Sequence, residues 1–343
     1  VANLGVGILP SGATGNEISA ITRRAFVPKL VVQLYNSSPL LAACIANAQP
    51  ASGGVNSVTV PVQGAAMTTA AWTDYSGSFA QPTNQNGIKN AEFALKALVV
   101  PTPFLGFEGA VQLDHAIIPR IEAVMNDATN NMCDTIANAL FLNGSGTAPF
   151  TTTNNQAIIG LPGAIDDGTN MTTYGNISRS TDTYWKSKVY AAGNVNPTRA
   201  NVLQYITGVL KNGAEMPTFG VMGAGTWALL AQDFVAQESY IMSPGQSFDT
   251  DSKQPHSGFR ALMVSGVPIY LDPYCPEGVL YLANSNYLSL YIHENAAFAF
   301  TGFESTLPNF QIGYIGAVVA IMELVSTKPK TMARVSGYNS LTI

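Results

Sequence analysis

Charge is what this sequence most lacks: Asp, Glu, Lys and Arg make up 11% of its 343 residues, where about 25% is usual for a globular chain. With 47% apolar residues, the chain is too hydrophobic for disorder and undercharged for the surface of a free monomer. The compensation we expect is assembly, in which copies of the chain cover one another. The 21 acids and 16 bases form no long run of either sign, which disfavours sequence-specific nucleic-acid recognition. Cysteine is scarce, and Cys44, Cys133 and Cys275 form no CxxC pair. That argues against a disulfide scaffold, a zinc finger or an iron–sulfur site, and suits a reducing, intracellular origin. Long apolar runs are missing too. The longest, 314–322, falls far short of the ~20 residues of a membrane helix, and no signal-peptide pattern opens the sequence.

What is present is organised in blocks. Residues 1–50 hold two short apolar stretches broken by Pro28 and Pro39, an arm with too little apolar material for a core of its own. Alternation at Val58, Val60 and Val62, and again at Phe93, Leu95, Ala97 and Val99, predicts strands. Between them lies a Gly-, Thr- and Asn-rich loop carrying Trp72, Tyr75 and Phe79; loops this long are usually functional or mobile. Apolar residues at helical spacing from Ile118 to Leu140 predict one long helix over 118–142, almost 40 Å at about 1.5 Å per residue. Its other face carries Glu122, Asp127, Asn130, Asn131 and Asp134. Helices are expected over 198–212 and 226–236, and strands at 218–222, around 261–271, and over 278–284 and 288–293. The apolar run 317–322 reads as a strand buried on both faces beneath the long helix.

Chemical motifs are weak. Gly223-Ala-Gly225-Thr-Trp-Ala228 follows a strand and opens a helix, as a dinucleotide-binding turn does, but Trp227 is bulky and no acid ends a strand about 20 residues on. A plain strand-to-helix turn is the simpler reading. His115, His256 and His293 stand in unrelated settings, and His293-Glu294 lacks the second His of a zinc-protease helix. Asp249-Thr-Asp251 starts like a calcium loop, yet Arg260 stands where the final Glu belongs. Asp166-Asp167 reads as a turn pair, and Lys328, Lys330 and Arg334 as a solvated or inter-subunit face. These patterns assemble no active site, so we expect no catalytic residues, no metal and no cofactor.

The order of parts, together with three stretches, resembles the major capsid proteins of tailed bacteriophages. The stretches are Ile21-Thr-Arg-Arg-Ala-Phe-Val-Pro-Lys-Leu30, Asn176-Ile-Ser-Arg-Ser-Thr-Asp-Thr-Tyr-Trp185, and Gly266-Val-Pro-Ile-Tyr270 running on to Pro276-Glu-Gly278 and Leu282 to Leu290. The resemblance implies an α+β Hong Kong 97-type fold: an N-terminal arm (1–50), an extended two-stranded loop (51–105), a peripheral domain with a spine helix (106–145 and 297–343) and a mixed α/β axial domain (146–296). It further implies a structural, non-enzymatic subunit that assembles into hexamers and pentamers around double-stranded DNA, contacted without sequence specificity. Scaffolding, portal and decoration proteins would be its partners, and the virion capsid, assembled in the bacterial cytoplasm, its location. The encapsulin-type compartment shell shares that fold and is the nearest alternative; a nucleotide-binding α/β enzyme is the other. Nothing large precedes residue 21, so a separate scaffold or none is expected. Trp72, Tyr75 and Phe79 would bury against a neighbouring copy. Lys89 or Lys96 with Asn339 would be the candidates for the covalent cross-link some members form.

Overall fold

The computed structural model describes residues 38–52, 54–64, 72, 77, 87–105, 120–142, 157–241, 261–302, 304–305 and 313–342. In chain order, helix α1 (Pro39–Ala46) leads to β1 (Gln49–Ala51), β2 (Ser57–Gln63), β3 (Ile88–Ala94) and β4 (Lys96–Leu105). The long helix α2 (Arg120–Ala139) and the single turn α3 (Leu161–Ala164) precede a small hairpin of β5 (Thr173–Tyr174) and β6 (Ile177–Ser178). Next come β7 (Lys188–Val195), α4 (Arg199–Gly213), β8 (Phe219–Met222), α5 (Ala224–Ile241), β9 (Ala261–Val264), β10 (Val267–Leu271), β11 (Val279–Ala283) and β12 (Leu288–His293). The chain closes with β13 (Ala299–Phe300), β14 (Glu304–Ser305), β15 (Gly313–Ser326) and β16 (Ala333–Tyr338).

Two sheets organise these elements. The platform is centred on β15, with β4 antiparallel along one edge and β12, β13 and β14 in succession along the other; β1 adds parallel to β12. Helix α2 lies against β4. Its apolar face, Met132 and Ile136, shares one core with Val318, Ala320 and Met322 of β15 and with Leu40 and Cys44 of α1. The second sheet runs β7-β16-β11-β8-β10-β9. Val202, Ile206 and Val209 of α4 pack on Met222, Ile269, Leu280 and Val335 within it. Helix α4 begins at Thr198, whose side-chain oxygen accepts the Asn201 N–H, as an N-cap hydroxyl should.

Several expectations are refined. The strand expected through Phe93 and Val99 divides at Leu95: β2 and β3 pair as a ribbon, while β4 pairs with β15 along ten residues. The stretch around 261–271 is a hairpin, β9 with β10, turning at Ser265 and Gly266, both at positive φ. Strand β12 pairs with the platform and β16 with the second sheet, so each sheet takes a strand from the part of the chain that order alone assigns to the other. The run 317–322 is not buried on both faces. Val318, Ala320 and Met322 face the core, whereas Ala317, Val319 and Ile321 are half-exposed. Only from Met322 to Ser326 is every residue buried, because there β15 is flanked by β12 and covered by the loop at Ile159.

Candidate functional site

The strand-to-helix turn after β8 forms as expected, but its ligand is the protein itself. The carboxylate of Glu277 accepts N–H groups from Gly225 (3.0 Å) and Thr226 (3.1 Å), the first turn of α5. It also accepts the Thr226 hydroxyl at 3.2 Å, and that hydroxyl oxygen accepts the Gly278 N–H at 2.7 Å. A helix N-terminus offers its unpaired N–H groups to an anion, and here an internal carboxylate fills the place a phosphate would take. A Cβ on Gly225 would lie 2.2 Å from the Leu341 carbonyl oxygen, so the glycine admits the chain's own C-terminal segment. The nucleotide-binding reading is not favoured by this geometry.

The basic residues of the C-terminal stretch divide between surface and interior. Arg334 is buried, 3.8 Å from Asp166, which in turn lies 3.9 Å from the fully buried Arg179. Lys328 pairs with Glu215 at 2.6 Å and stands over the Tyr287 ring, whose hydroxyl donates to the same carboxylate. A solvated or inter-subunit face made of Lys328, Lys330 and Arg334 is therefore corrected: Arg334 is an interior group. Asp166 is likewise more than a turn residue. It is fully buried and accepts backbone N–H groups from Gly168, Asn170 and Met171.

Of the expected contact residues, Trp72 is fully exposed, while Tyr75 and Phe79 lie outside the described residues. Lys89 of β3 is bound to Asp182 at 2.7 Å, and that hydrogen bond raises the pKa of its ammonium. The ribbon is thereby pinned to the 173–187 segment, where Phe93 also meets the edge of Tyr174. Lys96 begins β4 and borders a cavity described below. Asn339 donates to the Asn196 side chain at 2.8 Å. These three cross-link candidates are thus set apart, at the ribbon, the platform and the second sheet. His293 caps a short turn by accepting the Asn295 N–H, and His115, His256 and 249–251 lie outside the described residues. Burial pushes the Cys44 thiol up to about 12, out of the range of a reactive thiolate. Among the described residues no three His, Cys, Asp or Glu side chains gather as a metal site, and no helix is long and apolar enough to cross a membrane.

One buried acid stands outside the residues that the sequence singles out. Glu323 is 1% exposed in β15, and its Oε1 accepts the Ile159 N–H at 2.8 Å. Burial pushes its pKa up to about 8, against smaller downward pulls from that N–H, from Lys96 and from the Leu324 N–H. Its mark in the sequence is a lone acid directly after the apolar run 314–322.

No protein-family profile matches the sequence, and no curated protein is similar to it at the sequence level. Solved structures are similar across nearly the whole chain. The capsid asymmetric unit of cyanophage A-1(L) superposes with a TM-score of 0.67 at 14% identity, covering 93% of this chain and 98% of that one. The capsid of a native GTA particle gives 0.58 at 12% identity, covering 96% and 99%. The SrpI encapsulin of Synechococcus elongatus PCC 7942 gives 0.58 at 10% identity, covering 97% and 100%. With its platform sheet, long helix, two-stranded ribbon and second α/β sheet superposing on these shells over nearly the whole chain, the chain has the fold of the phage major capsid proteins, the Hong Kong 97-type fold.

Proposed function

We propose that this chain is the repeating subunit of a closed icosahedral shell, assembling through hexamers and pentamers around double-stranded DNA. The observation that carries this reading is the likeness to shell subunits over more than nine-tenths of the chain. Physical chemistry points the same way. A surface with few charges and a fully exposed Trp72 is costly in a monomer, and burying one such ring is worth roughly 4–6 kcal/mol of gross hydrophobic energy. A neighbouring copy supplies that burial, with Tyr75 and Phe79 as further contacts. The role is mechanical and needs no catalysis. Separate scaffolding, portal and decoration proteins belong to the same proposal, as does a virion location. A covalent link to Asn339 of another copy would come from Lys96, or from Lys89 once its half-exposed ammonium has left Asp182.

Electron microscopy of the purified native protein, with its sedimentation profile, tests this. Closed shells or free hexamers and pentamers are expected, and Trp72→Ala is expected to weaken assembly by about 2 kcal/mol or more per contact. In a Trp227→Phe background the emission of Trp72 should move to shorter wavelength on assembly, since Trp185 is already buried and Trp227 is only partly so. A stable monomer at all concentrations would overturn the reading. The encapsulin likeness supports a second one, a compartment enclosing protein: shells that hold protein and lack nucleic acid would select it.

A further inference from the structure

A platform strand ought to bury apolar residues, yet β15 buries Glu323 with half of its carboxylate unsatisfied. Oε1 takes the Ile159 N–H; Oε2 is buried with no hydrogen-bond partner. An orphaned carboxylate oxygen is costly to keep from water. Glu323 also forms part of the wall of a cavity of about 250 Å³, together with Glu92, Phe93, Lys96, Ile159 and Asn176. This cavity stands at a junction: Glu92 and Phe93 belong to the ribbon, Lys96 to β4, Asn176 to the turn of the small hairpin and Glu323 to the platform.

The charges around the cavity select its occupant. Glu323 and Glu92 face one cation, Lys96, which is also the charged side chain acting on Glu323. Tyr291 of β12 is the register partner of Glu323. With both acids ionised the walls carry one unit of negative charge in excess. Glu92 is held in place by Ser57 (3.0 Å) and Asn176 (3.3 Å), so it is an oriented acceptor. Phe93 is turned away into the core, edge to face with Tyr174. A planar cation that forms paired N–H bonds to carboxylates and sheds water easily suits this lining better than an ammonium.

We propose that the cavity binds a single guanidinium group, held by Glu323 and Glu92. Two sources share that chemistry: an arginine side chain of a second copy of this chain, and a free guanidine compound. The second-copy source rests on the shell reading; the cavity itself does not. Binding ionises Glu323, so its carboxyl proton passes to the buffer as the guanidinium takes the Oε2 position.

Calorimetry on the full-length unassembled chain tests the free source, with ethylguanidinium chloride as probe and tetramethylammonium chloride at equal ionic strength as control. At pH 7, in two buffers of different ionisation heat, ethylguanidinium should bind with release of up to one proton per chain. Glu323→Gln should weaken that binding at least tenfold and abolish the release, while Glu92→Gln should weaken it and leave the release in place. For the second-copy source, proton release is measured during assembly of the native chain and of Glu323→Gln. Release on assembly without binding of free ethylguanidinium assigns the site to a neighbouring arginine; the reverse assigns it to a small molecule. Binding that Glu323→Gln leaves intact overturns the proposal, and so does the absence of Glu323-dependent proton release in both settings. Sedimentation of the same samples scores shell formation separately, and if no particles form the free arm alone decides.

Discussion

Above pH 8 the unassembled Glu323→Gln variant is expected to be more stable than the native chain by roughly 3–5 kcal/mol, at about 1.4 kcal/mol per pKa unit. The cause is a carboxyl whose pKa burial raises from 4.5 to about 8. Between those two values the native state keeps a proton that the unfolded chain has lost, so native stability falls as pH rises. Above pH 8 both states are ionised, and the whole cost of the buried charge is present. Glutamine keeps the shape of the protonated acid and has no proton to lose, so its stability should stay flat where that of the native chain declines. At pH 5 the two should agree within about 1 kcal/mol. Urea unfolding at intervals from pH 5 to 9 measures this, urea being preferred because guanidinium is the proposed occupant of the cavity. Two parallel stability curves would show that Glu323 does not carry the burden the geometry gives it.

Local patterns in the sequence were readable where a single element determines its own fate. Helix α2 follows the spacing of Met132 and Ile136, and α4 follows Val202, Ile206 and Val209 with the Thr198 cap. What could not be read locally was partnership. The break at Leu95 exists because β3 pairs back with β2 while β4 takes β15, more than 200 residues away in sequence. Arg334 looks like a surface base beside Lys328 and Lys330, and only its distant partner Asp166 brings it inside. At Gly223 and Gly225 the turn itself was legible, whereas its occupant, Glu277, comes from an unrelated loop. One of the stretches on which the family resemblance rested holds interior anchors, Arg179 and Trp185 being among the largest fully buried side chains, and another supplies Glu277, an exposed residue whose carboxylate caps α5. Such residues stay recognisable because the fold leaves them little choice. Of the expected contact residues, Trp72 showed its exposure in the polar, small-residue composition of its loop.

Replacing Arg179 by alanine is expected to cost about 3–5 kcal/mol, the range for a buried ion pair deprived of one partner, a large share of the stability of an ordinary domain. The guanidinium is fully buried and donates to four backbone carbonyls: Gly163 at 2.9 Å, Ala164 at 2.8 Å, Met171 at 3.2 Å and Trp185 at 3.3 Å. It also lies 4.9 Å from the centroid of the Tyr174 ring. Alanine would leave those carbonyls without their donor inside the protein and would leave Asp166 to Arg334 alone. Because Asp166 also orders the 168–171 turn and faces β16 through Arg334, the loss should reach the second sheet as well. Arg179→Lys should rescue little, since one ammonium cannot reach carbonyls on several sides of a planar fork. Urea midpoints of the two variants and the native chain decide the matter. A loss under about 1 kcal/mol for alanine, or near-native stability for lysine, would mean that the carbonyls find other donors. The expected result instead makes the 161–185 segment a keystone held by one side chain. The ribbon rests on that same segment through Lys89 and Asp182, so a chain weakened there should also loosen its hold on the ribbon.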